Sequence, residues 1–562
     1  MASPSTTPAR RRARAAIAAA IVPLLLAGAC SSGDGEDEAS TGATDAATVA
    51  ADEFVRTQNL EGDTDQPPED GGSLVIGIEA ETDGFNPIAN RWAASGHFVG
   101  SAVFDPLTTI DEEGNMIPYL AESLTPNDDA TSWEIKVRAG VTFHDGTPLT
   151  SQAVKDTFDG HLGSIITSAA LSSVSDVEIV DDLTVRVNMS EPWVQFPSIL
   201  ASQVGYVVAP SMITDLDTAR QPVGTGPFTF EVWDEDVSFV ARRYEDYWQE
   251  GKPHLDQIEF RPIPDSSERL DALRSGEIDM MHTIRASDIA ALREDPDIKM
   301  VEVSFGEEAF LSLNTQQPPF DRREARLAVA HATDVDRYLD ETGRAGVAVP
   351  ARGVFAPGQL GYREDNGYPE YDIDLARQYA AEYEAATGEP LSFTYKGSSS
   401  VENLQSQQSL QAMWAEAGID VQISTVEQDT QILDAALGNY QLIDFRNFGA
   451  TEPDGEFVWW TSRSVAEPGG VALNFPRFAA PEIDAALLEA RATDDQAARD
   501  EAYALIARRL NEESPYVWLE RATWALAANP RVHGIGAAAN GTLSTLGAKV
   551  WLADLWVSRS TG

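Results

Sequence analysis

The sequence predicts an α/β protein of two or three lobes, with a β-rich part in its first half. Three observations lead there. The stretch from residue 73 onward is far longer than one hydrophobic core can fill, because single cores stop growing at about 250–300 residues and longer chains divide. Between about residues 110 and 220, apolar and polar side chains alternate in short runs, the period of antiparallel strands with one wet face. In the second half, helical spacing and strand alternation take turns, the pattern of parallel strands joined by helices.

The first residues read as a targeting segment. Arg10, Arg11, Arg12 and Arg14 make a basic start, and residues 15–28 are uncharged and built mainly from Ala, Ile, Val and Leu. That run is shorter than the roughly 20 apolar residues that span a bilayer, so residues 1–29 read as a cleavable secretory signal. Gly28 and Ala29 precede Cys30, the single cysteine of the chain. No second cysteine exists to pair with it. Cys30 at this place resembles the lipidated cysteine of a bacterial lipobox, although Ala27 stands where leucine is usual. An ordinary signal cleaved nearby, leaving a free thiol, is the alternative. A lipid would hold the protein at a membrane surface without making it span. Residues 30–72 are rich in Ser, Thr, Gly, Ala, Asp and Glu, with Arg56 the one basic residue. Such a segment buries too little apolar surface to offset its ordering entropy, and it reads as an acidic tether.

The body begins with "SLVIGIEAE" at residues 73–81, an apolar run bounded by Gly72 and the turn Thr82-Asp83-Gly84, which reads as a buried strand. Farther on, Trp133, Ile135 and Val137 alternate with Glu134, Lys136 and Arg138. "VEIVDDLTVRV" alternates on both sides of Asp181-Asp182, a hairpin signature. In the second half Ala325, Ala328, Val329 and Ala332 share one helical face, and Leu410, Met413, Trp414 and Ala417 repeat the spacing until Gly418 stops the helix. Ile419, Val421 and Ile423 then alternate as a strand. A helix near 430–437 ends at Gly438-Asn439, and a further strand covers 440–445.

The chain holds 40 Lys and Arg against 90 Asp and Glu, a net charge of −50. A surface that acidic repels nucleic acid and anionic lipid, so neither is expected as a partner. The seven histidines, at 97, 144, 161, 254, 282, 331 and 533, fall at no metal-ligand spacing. Thiolate zinc sites need further cysteines, and no G-x-S-x-G or H-E-x-x-H motif is present. No enzyme, metal or cofactor is expected.

Several stretches, in order, resemble the family 5 extracellular solute-binding proteins, the receptors of peptide, nickel and related ABC importers. They are "LAESLTPNDDATSWEIKVRAGVTFHDGTPLTSQAVKDTF", "VGTGPFTF", "YWQEGKPHLDQIEFRPIPD" with "LRSGEIDM", "NTQQPPFDRREARLAVAHATD", "WAEAGIDVQISTVE" and "NFPRFAAPEIDAALLEA". The resemblance covers about residues 73–560. It implies a two-lobed type II periplasmic-binding-protein fold with an additional β-rich subdomain. Lobe I would comprise 73–113, 221–312 and 527–562, the subdomain 114–220, and lobe II 313–526, with the chain crossing the hinge twice. It also implies noncovalent capture of a small solute, short peptides first, in a cleft that closes around it. A monomeric lipoprotein on the outer face of the cytoplasmic membrane would deliver the solute to an ABC permease. The alternatives are a ligand-sensing receptor of the same fold for an oligosaccharide or metal chelate, and a secreted hydrolase.

The resemblance places the best site candidates in "DFRNFGATEPDGEFVWW", residues 444–460. Where peptide-binding relatives carry an aspartate for the peptide α-amino group, this sequence has Thr451 in a shorter loop, with Asp454 or Glu452 as substitutes. Arg446 would either hold a solute carboxylate or pair with a surface acid. Phe448 and Trp459 are further candidates, with Trp459 and Trp460 facing opposite ways if extended. Asn86 and Trp92 follow the first strand, and Phe310 and Asn314 stand at the entry to lobe II. His144-Asp145-Gly146 reads as a turn, and Gly224, Gly226 and Pro227 as shaping a crossing between lobes.

Overall fold

The structure, a computed structural model, describes residues 55–61, 66–90, 92–111, 115–214, 219–304, 307–446, 452–467, 469–535 and 551–558. Residues 1–29, read above as a signal, and Cys30, Phe448 and Thr451 lie outside the described residues.

Lobe I is built on an eight-stranded sheet. Its order is Val55–Gln58, Lys299–Val303, Trp524–Ala528, Met280–Thr283, Ser73–Ile78, Gln257–Pro262, Ser238–Arg243 and Phe228–Asp234. Ser73–Ile78 runs parallel to both its neighbours. A strand covered on both faces has no wet side, hence the unbroken apolar run. Leu74, Ile76 and Ile78 pack with Phe98, Phe239, Phe260 and Leu526 in one core. The tether reading extends too far: Val55–Gln58 pairs antiparallel with Lys299–Val303, and Gln58 Nε2 donates to the carbonyls of Leu292, Asp295 and Ile298. A short edge strand is held by backbone bonds, so its polar side chains left no signal.

The region of alternating runs is a four-stranded antiparallel sheet, in the order Ala121–Pro126, Ser132–Val137, Thr184–Met189, Val174–Ile179. Trp133, Ile135 and Val137 point into a core with Val185, Val187, Phe143, Phe158 and Trp193. Helix Ser151–Gly163 is capped by Thr150, whose side chain accepts from the Ala153 N–H. The subdomain is bound at its base to lobe I. The His144 ring Nε2 lies 2.9 Å from the Gly226 carbonyl, and the His144 N–H donates to the Gly224 carbonyl at 2.9 Å. Tyr244 Oη sits 2.7 Å from Thr142 Oγ1, and Ser164 Oγ donates to the Ile88 carbonyl at 2.7 Å. Burial pushes the His144 pKa down to about 4, so the ring is neutral at neutral pH. It serves as a structural bracket, as its turn sequence suggested.

Lobe II holds a six-stranded sheet, in the order Val349–Pro350, Tyr516–Arg521, Glu308–Leu313, Leu442–Arg446, Ser392–Ser398, Asp420–Val426. The last three are mutually parallel, as the strand–helix–strand spacing predicts. Ser400 caps helix Val401–Glu416 by accepting from the Asn403 N–H. Gly438, at φ 72°, ends helix Gln428–Leu437 in the left-handed conformation that glycine adopts without a Cβ penalty.

The chain passes between the sheets twice, from Lys299–Val303 to Glu308–Leu313 and from Tyr516–Arg521 to Trp524–Ala528. The crossings are bonded to each other: the Ala522 N–H donates to the Glu307 carbonyl at 2.9 Å, and Ser304 Oγ and Thr523 Oγ1 are 2.7 Å apart. These passages fall at 304–307 and 522–523, not at the expected 312/313 and 526/527. All four strands are buried almost throughout, so the sequence does not mark where one sheet gives way to the next.

Candidate functional site

Open α/β sheets bind ligands beyond the carboxyl ends of their parallel strands. Here both lobes present such ends, at Ile78, Pro262 and Thr283 in lobe I and at Ser398, Val426 and Arg446 in lobe II. The two sets meet. Arg285, just past Thr283, pairs with Glu402 in the first turn of the helix after Ser398. Arg446, the last residue of its strand, reaches lobe I, its guanidinium carbon 5.4 Å from the centre of the Trp524 ring. His282 stacks on that same indole at 5.4 Å.

Arg446 Nε also lies 3.2 Å from Glu307 Oε2, with the arginine side chain 34% exposed and the glutamate 2%. Burial pushes the Glu307 carboxyl up, opposed by Arg446 and by the Trp524 N–H. A partly exposed guanidinium against a buried acid makes a floor on which an anionic group can contact the remaining N–H donors.

The structure gives most of the expected site residues packing or hydrogen-bond partners within the protein. Asn86 is fully buried, its Oδ1 accepting from the Ile88 N–H and its Nδ2 donating to the Met212 carbonyl. Trp92 is a core side chain whose Nε1 donates to the Gly84 carbonyl at 2.9 Å. Phe310 packs edge-on against Tyr516 and Trp518. Asn314 Nδ2 donates to the carbonyls of Gly438 and Tyr440, bracing a helix end. Asp454 is also a correction. It accepts from Trp193 Nε1 at 2.6 Å and Arg491 Nε at 2.6 Å and is 3% exposed, so it does not await an ammonium group. Glu452 pairs with Arg499. Trp459 and Trp460 lie in one helical turn, Phe457–Trp460, not in an extended segment. Trp460 is buried, and Trp459 is half-buried against Phe475. Among the described candidates, Arg446 and Trp459 keep partly exposed side chains. Glu307 and Trp524 went unnoticed. The signal available was the acidic pair Glu307-Glu308 at the start of the otherwise mostly apolar strand Glu308–Leu313.

Two α/β lobes, a double crossing and facing strand ends define a two-lobed solute receptor. The chain belongs to the bacterial extracellular solute-binding proteins, family 5: the model described as "Bacterial extracellular solute-binding proteins, family 5 Middle" matches residues 115–468. It is similar to the glutathione-binding protein GsiB of Escherichia coli (strain K12), 26% identical over 434 residues, covering 75% of this chain and 83% of the relative. It also resembles the solved binding protein AgaA from A. tumefaciens R10 in complex with agropinic acid, at 25% identity and a TM-score of 0.76, covering 87% and 99% of the two chains. DppA from Helicobacter pylori, in complex with the peptide STSA, matches at 23% identity and a TM-score of 0.77, again covering 87% and 99%, and supports the fold. The protein is a substrate-binding component of the ABC-importer type, acting outside the cytoplasm. Proteins of this family are solute receptors, not enzymes, and work with ABC permeases.

Proposed function

We propose that this protein captures short peptides between its two lobes and hands them to a membrane permease while a lipid on Cys30 keeps it at the outer face of the cytoplasmic membrane. The observation that carries the reading is the meeting of both sets of parallel-strand ends across a doubly crossed hinge, with Arg446 reaching from one lobe to the other. Arg446 receives a carboxylate of the solute, and Trp459 offers an aromatic face. A glutathione-binding relative and a neighbour that holds agropinic acid support a solute that carries carboxyl groups. The paired state of Asp454 and Glu452 argues against ammonium capture by those two acids.

Mass spectrometry of protein purified without added ligand would identify a retained solute. Thermal shifts with tripeptide mixtures, oligosaccharides and metal chelates test the class. A rise in melting temperature with peptides alone is expected, and a response confined to oligosaccharides rejects peptides.

A further inference from the structure

We propose that the β-rich subdomain carries a clasp for the closed cleft, made by Trp193, Glu191 and Ser173 on the subdomain and Asp454, Arg491 and Arg463 on lobe II. Asp454 and Arg491 form a buried ion pair, each 3% exposed. Trp193, fully buried, donates its indole N–H to the same carboxylate at 2.6 Å. The Arg491 guanidinium lies between two rings, 3.5 Å from the centre of Phe457 and 4.2 Å from that of Trp193, and its Nη1 donates to Ser173 Oγ at 3.1 Å. The backbone joins in: the Val194 N–H donates to the Arg491 carbonyl at 2.8 Å. At the rim Arg463 grips Glu191 with two parallel bonds of 2.7 and 2.9 Å.

The subdomain is continuous in sequence with lobe I and bracketed to it through His144, Thr142 and Ser164, whereas it meets lobe II only in space. When the hinge opens, the subdomain therefore travels with lobe I, and the contacts to Asp454, Arg491 and Arg463 are the ones that part. Opening leaves Asp454 and Arg491 paired with each other on lobe II and returns them, with Glu191 and Arg463, to water, which offsets much of the lost attraction, so the clasp is reversible. Any contact made only in the closed state raises the closed population, and with it solute affinity, without touching solute. Trp193, Glu191, Arg463 and Arg491 are thus positioning residues for capture. The inference rests on the two-lobed reading above but not on the identity of the solute.

The test uses the full-length protein with no solute added and compares wild type with Arg463→Ala, an exposed position, and Trp193→Phe, which keeps a ring and removes the donor. Hydrogen exchange is read at the Val194 amide, bonded across the clasp, and at the His144 amide, bonded at the base. Val194 should exchange about fivefold faster in R463A and about tenfold faster in W193F. The radius of gyration should grow and His144 should stay unchanged. The clasp is overturned by an unchanged Val194 rate, by an equal rise at His144, which marks general loosening, or by faster Val194 exchange at constant radius. Because no solute enters the experiment, its failure leaves the peptide reading standing, and failure of that reading leaves the measurement interpretable.

Discussion

Arg446 and Glu307 form an ion pair between the end of a lobe II strand and the first crossing of the chain, with Nε and Oε2 3.2 Å apart. The acid is buried and the guanidinium is not, so the open side of the pair is cationic. Arg446→Ala should weaken binding of peptides with a free carboxyl terminus by about 10- to 100-fold, the range for a hydrogen bond to a charged group. C-terminally amidated peptides should bind both proteins alike. Removing the arginine also leaves Glu307 buried without a counter-ion. The double variant E307Q/R446A should recover melting temperature but not carboxylate affinity. Calorimetric titration decides it: amides that bind wild type as tightly as acids would exclude Arg446 as the donor to the solute carboxylate.

Asp105 sets a pH dependence. It accepts from Tyr247 Oη at 3.1 Å and Trp248 Nε1 at 2.9 Å, yet burial pushes its carboxyl up to about 7 against those bonds. Between about pH 4 and about pH 7 the folded carboxyl keeps a proton that the unfolded one releases. Its contribution to stability is therefore present below that window and falls as pH rises through it. Asp105→Asn removes this dependence. From about pH 4 to about pH 8 the variant should gain up to about 4 kcal/mol on wild type, the value of roughly three pKa units. Chemical denaturation across that range gives the difference, and parallel curves would show that Asp105 titrates normally.

Two glycines should respond oppositely to alanine. A Cβ on Gly226 would stand 2.5 Å from the Val103 carbonyl carbon and 2.7 Å from the Phe104 nitrogen, backbone atoms that cannot swing aside. Gly226→Ala should cost about 1–3 kcal/mol or more. Gly163 ends helix Ser151–Gly163, and a Cβ there meets nothing within 4 Å. Gly163→Ala should stabilise by up to about 1 kcal/mol by restricting the unfolded chain. Melting curves of the two variants would show the contrast, and a stable G226A would mean that the backbone of Val103 and Phe104, packed against Gly226 inside lobe I, yields.

The architecture was legible where periodicity reports a wet face. Trp133, Ile135 and Val137 announced their strand because Glu134 and Lys136 face water, and Gly438 announced a helix end because its backbone needs a positive φ. The crossings were misplaced because Lys299–Val303 and Trp524–Ala528 are buried on both faces. The site was harder still. An acid such as Asp454 looks the same in sequence whether it awaits a ligand or neutralises Arg491, 37 residues away. Trp193, its other partner, is 261 residues distant. Charge pairing of that kind is settled by packing, and local pattern carries no trace of it.

Cys30 supplies the last prediction. Among the described residues no helix is long and apolar enough to cross a membrane. The chain's net charge of −50 opposes adsorption to anionic lipid. On the reading proposed above, a lipid on Cys30 supplies the attraction; each buried methylene adds about 0.8 kcal/mol, so two acyl chains suffice for stable anchoring. Cys30→Ser should shift the protein from the membrane fraction to the soluble fraction and abolish fatty-acid labelling, with the melting temperature unchanged. Retention of the variant in membranes through the same high-salt wash as wild type would show that something other than a lipid holds it there.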